Sequence, residues 1–307
     1  MNACLRAVVR SALGEGKRVV GIRRGYTGML ASEFEEMDHK SVSNIIQLGG
    51  TILKTGRCEE FYHSRGRALG AASLRDAGIE GLVAIGGDGT LQGAHALWQE
   101  HEIPVIGVPA TIDNDVYGTD ATIGYDTAVN TALEAIDRIR DTATSHERLF
   151  FVEVMGRQAG FIALAVGAAG GAEMILVPEL SAEARDVYDT IVSGVGLGKT
   201  SSIVVVAEGD EEGGALELAH KVSELGAVEC RATILGHTQR GGRPTAQDRI
   251  LASQLGAAGV EALLAGDSDK MVGRICDRIV RTLLPDTWEK KKPFDQKLYE
   301  LAAALAS

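Results

Sequence analysis

Short apolar runs recur along this chain, and each is followed by polar or glycine-rich residues. Leu82-Val83-Ala84-Ile85 runs into Gly86-Gly87-Asp88-Gly89-Thr90, and Pro104-Val105-Ile106-Gly107-Val108 runs into Thr111-Ile112-Asp113-Asn114-Asp115. Between them, residues 91–101 carry Ala94, Leu97 and Trp98 at helical spacing. The pattern predicts a strand–helix–strand unit, and such a crossover makes the two strands parallel. Both acidic turns then sit at the carboxyl ends of neighbouring strands, where open α/β sheets build their ligand crevice.

The same alternation continues elsewhere. Residues 2–13 place Leu5, Val8, Val9, Ala12 and Leu13 on one helical stripe, and residues 18–22 read as a strand. After Tyr26-Thr27-Gly28 comes a polar stretch, then a helix expected near 41–47 and a strand or turn over 49–57. Helices are predicted over 64–76, 127–140, 161–168, 184–194, 246–264 and 294–305; strands are predicted over 149–155, 174–178, 202–207 and 231–235. Strand alternating with helix predicts an α/β chain with mainly parallel sheets flanked by helices. Asp88, Asp113, Arg157, Glu208 and His237 all fall just after predicted strands. Scatter would not place polar residues there so regularly.

A doubly wound sheet opens on a strand, whereas this chain opens on a helix. The expectation is a chain lacking its first strand and the loop that follows it.

Composition narrows the classes. At 307 residues, two domains or lobes are expected. Apolar residues make up 45%, charged residues 24%, and there are 38 glycines, which suits an α/β enzyme with many tight turns. Aromatics at 5% make base-stacking platforms improbable, and a net charge of −11 argues against nucleic-acid or anionic-membrane partners. An anionic substrate would need a local arginine cluster. Cys4, Cys58, Cys230 and Cys276 are scattered without a CxxC pair, and the histidines lack metal-ligand spacing. With no long apolar run and no signal sequence, a cytoplasmic location is expected.

Taken singly, a GGDG turn is more often a tight connection, and Asp-Asn-Asp a solvated turn. One crossover apart they favour a shared phosphate and metal site. Glycines let a backbone approach phosphates, and carboxylates hold Mg²⁺ or accept a proton. That is the chemistry of phosphoryl transfer.

Six segments in order carry a family resemblance: GGDGT (86–90), PATIDND (109–115), DTATSHER (141–148), EVMGRQAG (153–160), AEG (207–209) and LGHTQRGG (235–242). Over essentially its whole length the chain resembles the bacterial-type ATP-dependent 6-phosphofructokinases. The resemblance implies two Rossmann-like lobes. One would be an ATP-binding lobe from 1–124 plus about 239–290, with its first strand missing. The other would be a fructose 6-phosphate lobe from 125–238 plus about 291–307. It further implies transfer of the γ-phosphoryl of ATP to fructose 6-phosphate with Mg²⁺, at the committed step of glycolysis, in a homotetramer with shared sites.

By the same resemblance, Asp113 is the general base, Asp88 the Mg²⁺ ligand, and Asp115 a support to either. Thr111 contacts the transferring group, with Ile112 beside it. Arg57 and Cys58 contact ATP, Arg57 offsetting transition-state charge, and Gly87, Asp88, Gly89 and Thr90 form the nucleotide phosphate loop. Arg148, Arg231, His237, Thr238, Gln239 and Arg240 hold the sugar phosphate, with Met155, Gly156, Arg157 and Glu208 around the sugar. Arginine's planar fork suits phosphate oxygens, although a lone arginine reads first as a surface ion pair and a lone histidine as a packed one. Arg148 and Arg231 are implied to reach into a neighbouring subunit. An effector site for ADP or phosphoenolpyruvate is matched by Arg6, Arg10, Arg140, Gly171, Ala172, Glu173 and Lys199. It departs from the family pattern at His39, where an arginine is expected, and at Leu197, where a lysine is common.

Pyrophosphate-using relatives carry an aspartate after GGD and a lysine before TIDND; the small Gly89 and Ala110 here favour ATP. Family members also carry a TSGGDAPG-like loop ahead of the first residues of this chain, so the 307-residue polypeptide is expected to be poorly stable and weakly active or inactive. The competing readings are a truncated or degenerate subunit that binds sugar phosphate without turnover, a pyrophosphate-using relative, and an NAD-type kinase. Intact Asp88, Asp113, Arg57 and Arg157 argue against the first, and the LGHTQRGG and EVMGR segments against the last.

Overall fold

Thirteen residues from Asn2 to Gly14 open the chain as α1, whose Leu5 and Val9 are buried. Then follow β1 (Val19–Ile22), α2 (Tyr26–Leu30), β2 (Phe34–Met37), α3 (Ser64–Asp76), β3 (Leu82–Gly86), α4 (Asp88–His101) and β4 (Val105–Pro109). Next come α5 (Tyr125–His146), β5 (Leu149–Val154), α6 (Phe161–Gly170), β6 (Met174–Leu176), α7 (Ala184–Gly196), β7 (Ser202–Ala207), α8 (Gly214–Leu225) and β8 (Cys230–Ile234). The last elements are α9 (Ala246–Leu264), β9 (Lys270–Ile275), β10 (Arg278–Leu283), α10 (Asp286–Glu289) and α11 (Gln296–Leu305). This is a computed structural model, and it describes residues 1–146, 149–196, 202–210, 213–226 and 229–306. The chain divides into two compact units: Met1–Thr111, Val116–Gly124 and Arg243–Lys292 form unit 1; Ile112–Asp115, Tyr125–Gly242 and Pro293–Ser307 form unit 2.

In unit 1, β3 and β4 run parallel, as their helical crossover requires, and β9 joins β4 in the same direction. β10 then returns antiparallel as a hairpin, giving the order β10-β9-β4-β3. β1 and β2 form a separate antiparallel ribbon. Helix α1 lies close on α9, since a methyl at Gly256 would stand 2.8 Å from the Cys4 carbonyl oxygen. Buried Asn2 spends its whole amide on the next loop. Its Nδ2 donates to the Leu48 and Gly49 carbonyls, and its Oδ1 accepts from Ile52. A cavity of about 710 Å³ lies within this unit, lined by Val8 of α1, Val20 and Ile22 of β1, Val83 and Ile85 of β3 and Leu263 of α9.

Unit 2 holds one sheet, ordered β6-β7-β5-β8, with every pair parallel. Alternate side chains of β7 leave on opposite faces. Ile203, Val205 and Ala207 join α5 and α6 in one core, while Val204 and Val206 join α7 and α8 in another. This two-faced burial explains why 202–207 is an unbroken apolar run.

One expectation changes, one open alternative is decided, and several elements lie where none was expected. Residues 41–47 form turns rather than a helix, and Asn44 takes a left-handed φ of +56°. Their helical spacing arises because Val42 and Ile45 pack beside Leu5 and Val9. Among the described residues, 49–57 pair in no ladder, so turn is the correct alternative there. The polar stretch after Gly28 holds α2 and β2, and α8 and the β9–β10 hairpin lie in segments for which no element was expected.

Candidate active site

In unit 1 the first acidic turn is the entrance to a helix. β3 ends at Gly86, Gly87 is the N-cap of α4, and Asp88 is its first residue. A carboxylate is favoured there by the unpaired amides and the helix dipole. The turn is closely built. A Cβ at Gly86 would stand 2.3 Å from Thr90 Oγ1, and one at Gly87 would stand 3.4 Å from Thr111 Cβ. A Cβ at Gly89 would meet nothing within 4 Å, so that position faces open space. The Asp88 carboxylate accepts from Gln92 Nε2 at 3.1 and 3.0 Å.

Two residues outside the expected set brace this turn. The Tyr26 hydroxyl donates to the Thr90 carbonyl at 2.6 Å, and its ring lies stacked on Phe61 at 3.9 Å. Burial pushes the Tyr26 phenol well above its usual range, so it remains a donor. Thr122, fully buried, donates to the Thr111 carbonyl at 2.7 Å and fixes the end of β4. Tyr26 has a sequence signal only in hindsight: Gly93 admits its ring, because a Cβ there would come within 2.7 Å of it. Arg57 is exposed, with its carbonyl 3.5 Å from Thr27 Oγ1, and half-buried Cys58 packs against the core that includes Phe61.

In unit 2 the segment Ile112–Asp115 sits with the turn after β5. Asp113 is 3% exposed, and its Oδ2 lies 3.4 Å from Arg157 Nε. The turn itself, Met155-Gly156-Arg157, is held from both sides. Glu208, just past β7, accepts from the Gly156 and Arg157 amides at 3.3 and 2.7 Å. Gln239, past β8, accepts from the Met155 amide at 2.8 Å. Gly156 has φ +152° and Arg157 φ +55°, so the turn occupies backbone regions that need such support. Gly209 must be glycine, since a Cβ there would lie 2.0 Å from the Arg157 carbonyl oxygen.

His237, Thr238 and Arg240 share one 3₁₀ turn, Gly236–Arg240, and all three are exposed. Arg231 stands on the edge strand β8, exposed and ion-paired with Glu229. Arg148 and Lys199 lie outside the described residues, as does Leu197. Of the effector set, Arg140, Gly171, Ala172 and Glu173 gather at the carboxyl end of α6. Arg140 donates there to the Gly170 and Gly171 carbonyls at 2.6 and 2.8 Å. The Glu173 carboxylate accepts from the Ile203 amide at 2.6 Å. Arg6 and Arg10 lie on α1 in unit 1, four residues apart.

Among the described residues, no cluster of three or more His, Cys, Asp or Glu could cage a metal ion. Mg²⁺ needs no such cage where phosphate is present, since it keeps waters and binds through one or two carboxylates plus substrate oxygens. Half-buried Asp88 beside open Gly89 fits that mode.

A glycine-rich turn at a helix N-terminus in unit 1 and a buried aspartate beside an arginine in unit 2 are features that phosphoryl-transferring α/β proteins use. Residues 1–263 match the phosphofructokinase family model. The ATP-dependent 6-phosphofructokinase 1 of Thermus thermophilus is 58% identical over 306 residues, covering 100% of this chain and 95% of that protein. The ATP-dependent 6-phosphofructokinase 2 of Bacteroides thetaiotaomicron is 52% identical over 307 residues, covering 100% and 94%. Among solved structures, phosphofructokinase from Saccharomyces cerevisiae superposes with a TM-score of 0.87 at 33% identity, over 99% of this chain and 44% of that one. The pyrophosphate-dependent phosphofructokinase of Marinobacter aquaeolei gives 0.85 at 25% identity, over 100% and 88%. This chain belongs to the phosphofructokinase family.

Proposed function

We propose that this chain phosphorylates fructose 6-phosphate with ATP, giving fructose 1,6-bisphosphate and ADP. The observation that carries the reading is the buried Asp113 held beside Arg157 on a braced turn. Asp113 takes the proton of the sugar 1-hydroxyl as its oxygen bonds to the γ-phosphorus. The bond from that phosphorus to the bridging oxygen breaks, and ADP leaves. Arg157 and Arg57 offset charge on the transferring group, and Thr111 and Ile112 line its path. Gly87, Gly89 and Thr90 receive the nucleotide phosphates at the α4 N-terminus, and Cys58 packs near the nucleotide. Mg²⁺, held through Asp88, would neutralise phosphate charge.

Met155, Gly156, Glu208, His237, Thr238 and Arg240 form the sugar-phosphate side. Arg148 and Arg231 serve a neighbouring subunit of a homotetramer; the exposure of Arg231 on an edge strand supports this. ADP or phosphoenolpyruvate acts as effector through Arg6, Arg10, Arg140, Gly171, Ala172, Glu173 and Lys199. The protein works in the cytoplasm, in keeping with four cysteines that form no disulfide. Among the described residues, no helix is long and apolar enough to cross a membrane.

A coupled assay with fructose 6-phosphate, Mg²⁺ and either ATP or pyrophosphate tests the reading. ATP is expected to support turnover and pyrophosphate little. Because Gly89 faces open space, Gly89→Asp should fold normally and weaken ATP use by roughly tenfold or more through charge near the phosphates. Absence of fructose 6-phosphate turnover with either donor would overturn the proposal.

A further inference from the structure

Gln239 stands apart from its neighbours. His237, Thr238 and Arg240 of the same 3₁₀ turn are exposed, whereas Gln239 is 1% exposed. Its Oε1 accepts from the Met155 amide, and among the described residues its buried Nε2 has no partner. A buried unpaired donor is costly and calls for a reason. A side chain so enclosed cannot at once hold the Met155 amide and reach a substrate on the exposed side of the turn.

The topology supplies the reason. β5 lies between β7 and β8, and its final residue leads directly into Met155-Gly156-Arg157. Glu208 fixes that turn from the β7 side through two amides. Gln239 fixes it from the β8 side through the amide just before them. The turn's carbonyl side is also engaged, as Ala159 donates to the Gly156 carbonyl at 3.0 Å. The product of this bracing is the place of Arg157, whose Nε lies 3.4 Å from Asp113 Oδ2.

We infer that Gln239 is a positioning residue: it touches no substrate and acts by holding the Met155 amide, which sets Arg157 against Asp113. This rests on the proposed phosphoryl transfer for its kinetic consequence, and on the hydrogen bond alone for its structural one.

Gln239→Met tests it. The change keeps the side-chain length, removes the acceptor and removes the unpaired Nε2. It exchanges one buried unpaired donor for another, the Met155 amide, so global stability should stay within a few degrees of melting temperature. The amides of Met155, Gly156 and Arg157 should exchange with solvent at least tenfold faster than in the parent chain. That readout needs no activity. In the assay, kcat should fall at least tenfold while equilibrium binding of fructose 6-phosphate changes less than threefold, because misplacement harms the reacting geometry more than the ground state. Gln239→Glu keeps an acceptor at the same place and should recover part of both losses. Unchanged exchange at the three amides, kcat equal to the parent's, or a loss confined to fructose 6-phosphate affinity would each overturn the assignment. If the parent itself shows no turnover, the proposed function fails and the exchange result still decides the role of Gln239.

Discussion

The two units solve the same problem of sheet burial differently. In unit 2, β7 and β5 are the inner strands, paired on both sides and covered on both faces, and β7 is buried at all six positions. Among the described residues of unit 1, β3 ends its sheet and β1 pairs only with β2. Leu82 donates to Pro104 and Gly86 accepts from Ala110, so ladder alternation turns the backbone groups of Val83 and Ile85 away from β4. On β1, Arg23 donates to Glu33, so Val20 and Ile22 turn theirs away from β2. All four residues line the cavity of about 710 Å³. The lesson is that one chain can brace a turn tightly from neighbouring strands in one sheet and leave strand edges facing open volume in another.

The largest expected effect tests whether the braced unit carries the chemistry. Asp113→Ser should lower kcat by about 10²–10⁴, the range for losing a general base, while fructose 6-phosphate binding survives. Near-parent turnover would remove Asp113 from the reaction and leave the bracing of Arg157 without a catalytic purpose.

Next in size is a paired truncation. Ile203 is 1% exposed inside the unit 2 core, so Ile203→Ala should cost roughly 2–5 kcal/mol in chemical denaturation. Ile85 is half-buried and borders the cavity, so Ile85→Ala should cost about 1 kcal/mol. Equal losses would show that the cavity wall is as tightly packed as the sheet interior.

The same contrast explains what the sequence made legible. The β3–α4–β4 crossover reads easily because strand-length apolar runs flank a helical stripe, and the acidic turns mark their ends. The unbroken run of β7 reads equally well. Strand β2 does not, because Phe34-Glu35-Glu36-Met37 pairs with β1 in a two-stranded ribbon and exposes both glutamates. The β9–β10 hairpin hides because Cys276 and Asp277 adopt φ +47° and +61° without the glycine that usually announces such a turn. Residues 41–47 mislead because tertiary packing of Val42 and Ile45 imitates helical spacing. At the candidate site, glycines and charged residues announced themselves by motif. Tyr26 and Thr122 did not, since a hydroxyl that holds one backbone carbonyl leaves no pattern along the chain.

The smallest effect is the sharpest on the comparison, because its sign should differ between the units. Ala12 borders the cavity from α1, and Ala→Leu costs little helix propensity. The added carbons would enter apolar space, so Ala12→Leu should stabilise by about 1 kcal/mol, seen as a rise of a few degrees in melting temperature. Ala163 sits at 0% exposure within α6 in the unit 2 core, where the same change must displace packed neighbours. Ala163→Leu should therefore destabilise by roughly 1–3 kcal/mol. If both variants lose stability alike, the volume beside α1 does not accept a side chain and the contrast between the units fails. If both gain, the core around α6 is looser than its buried residues indicate.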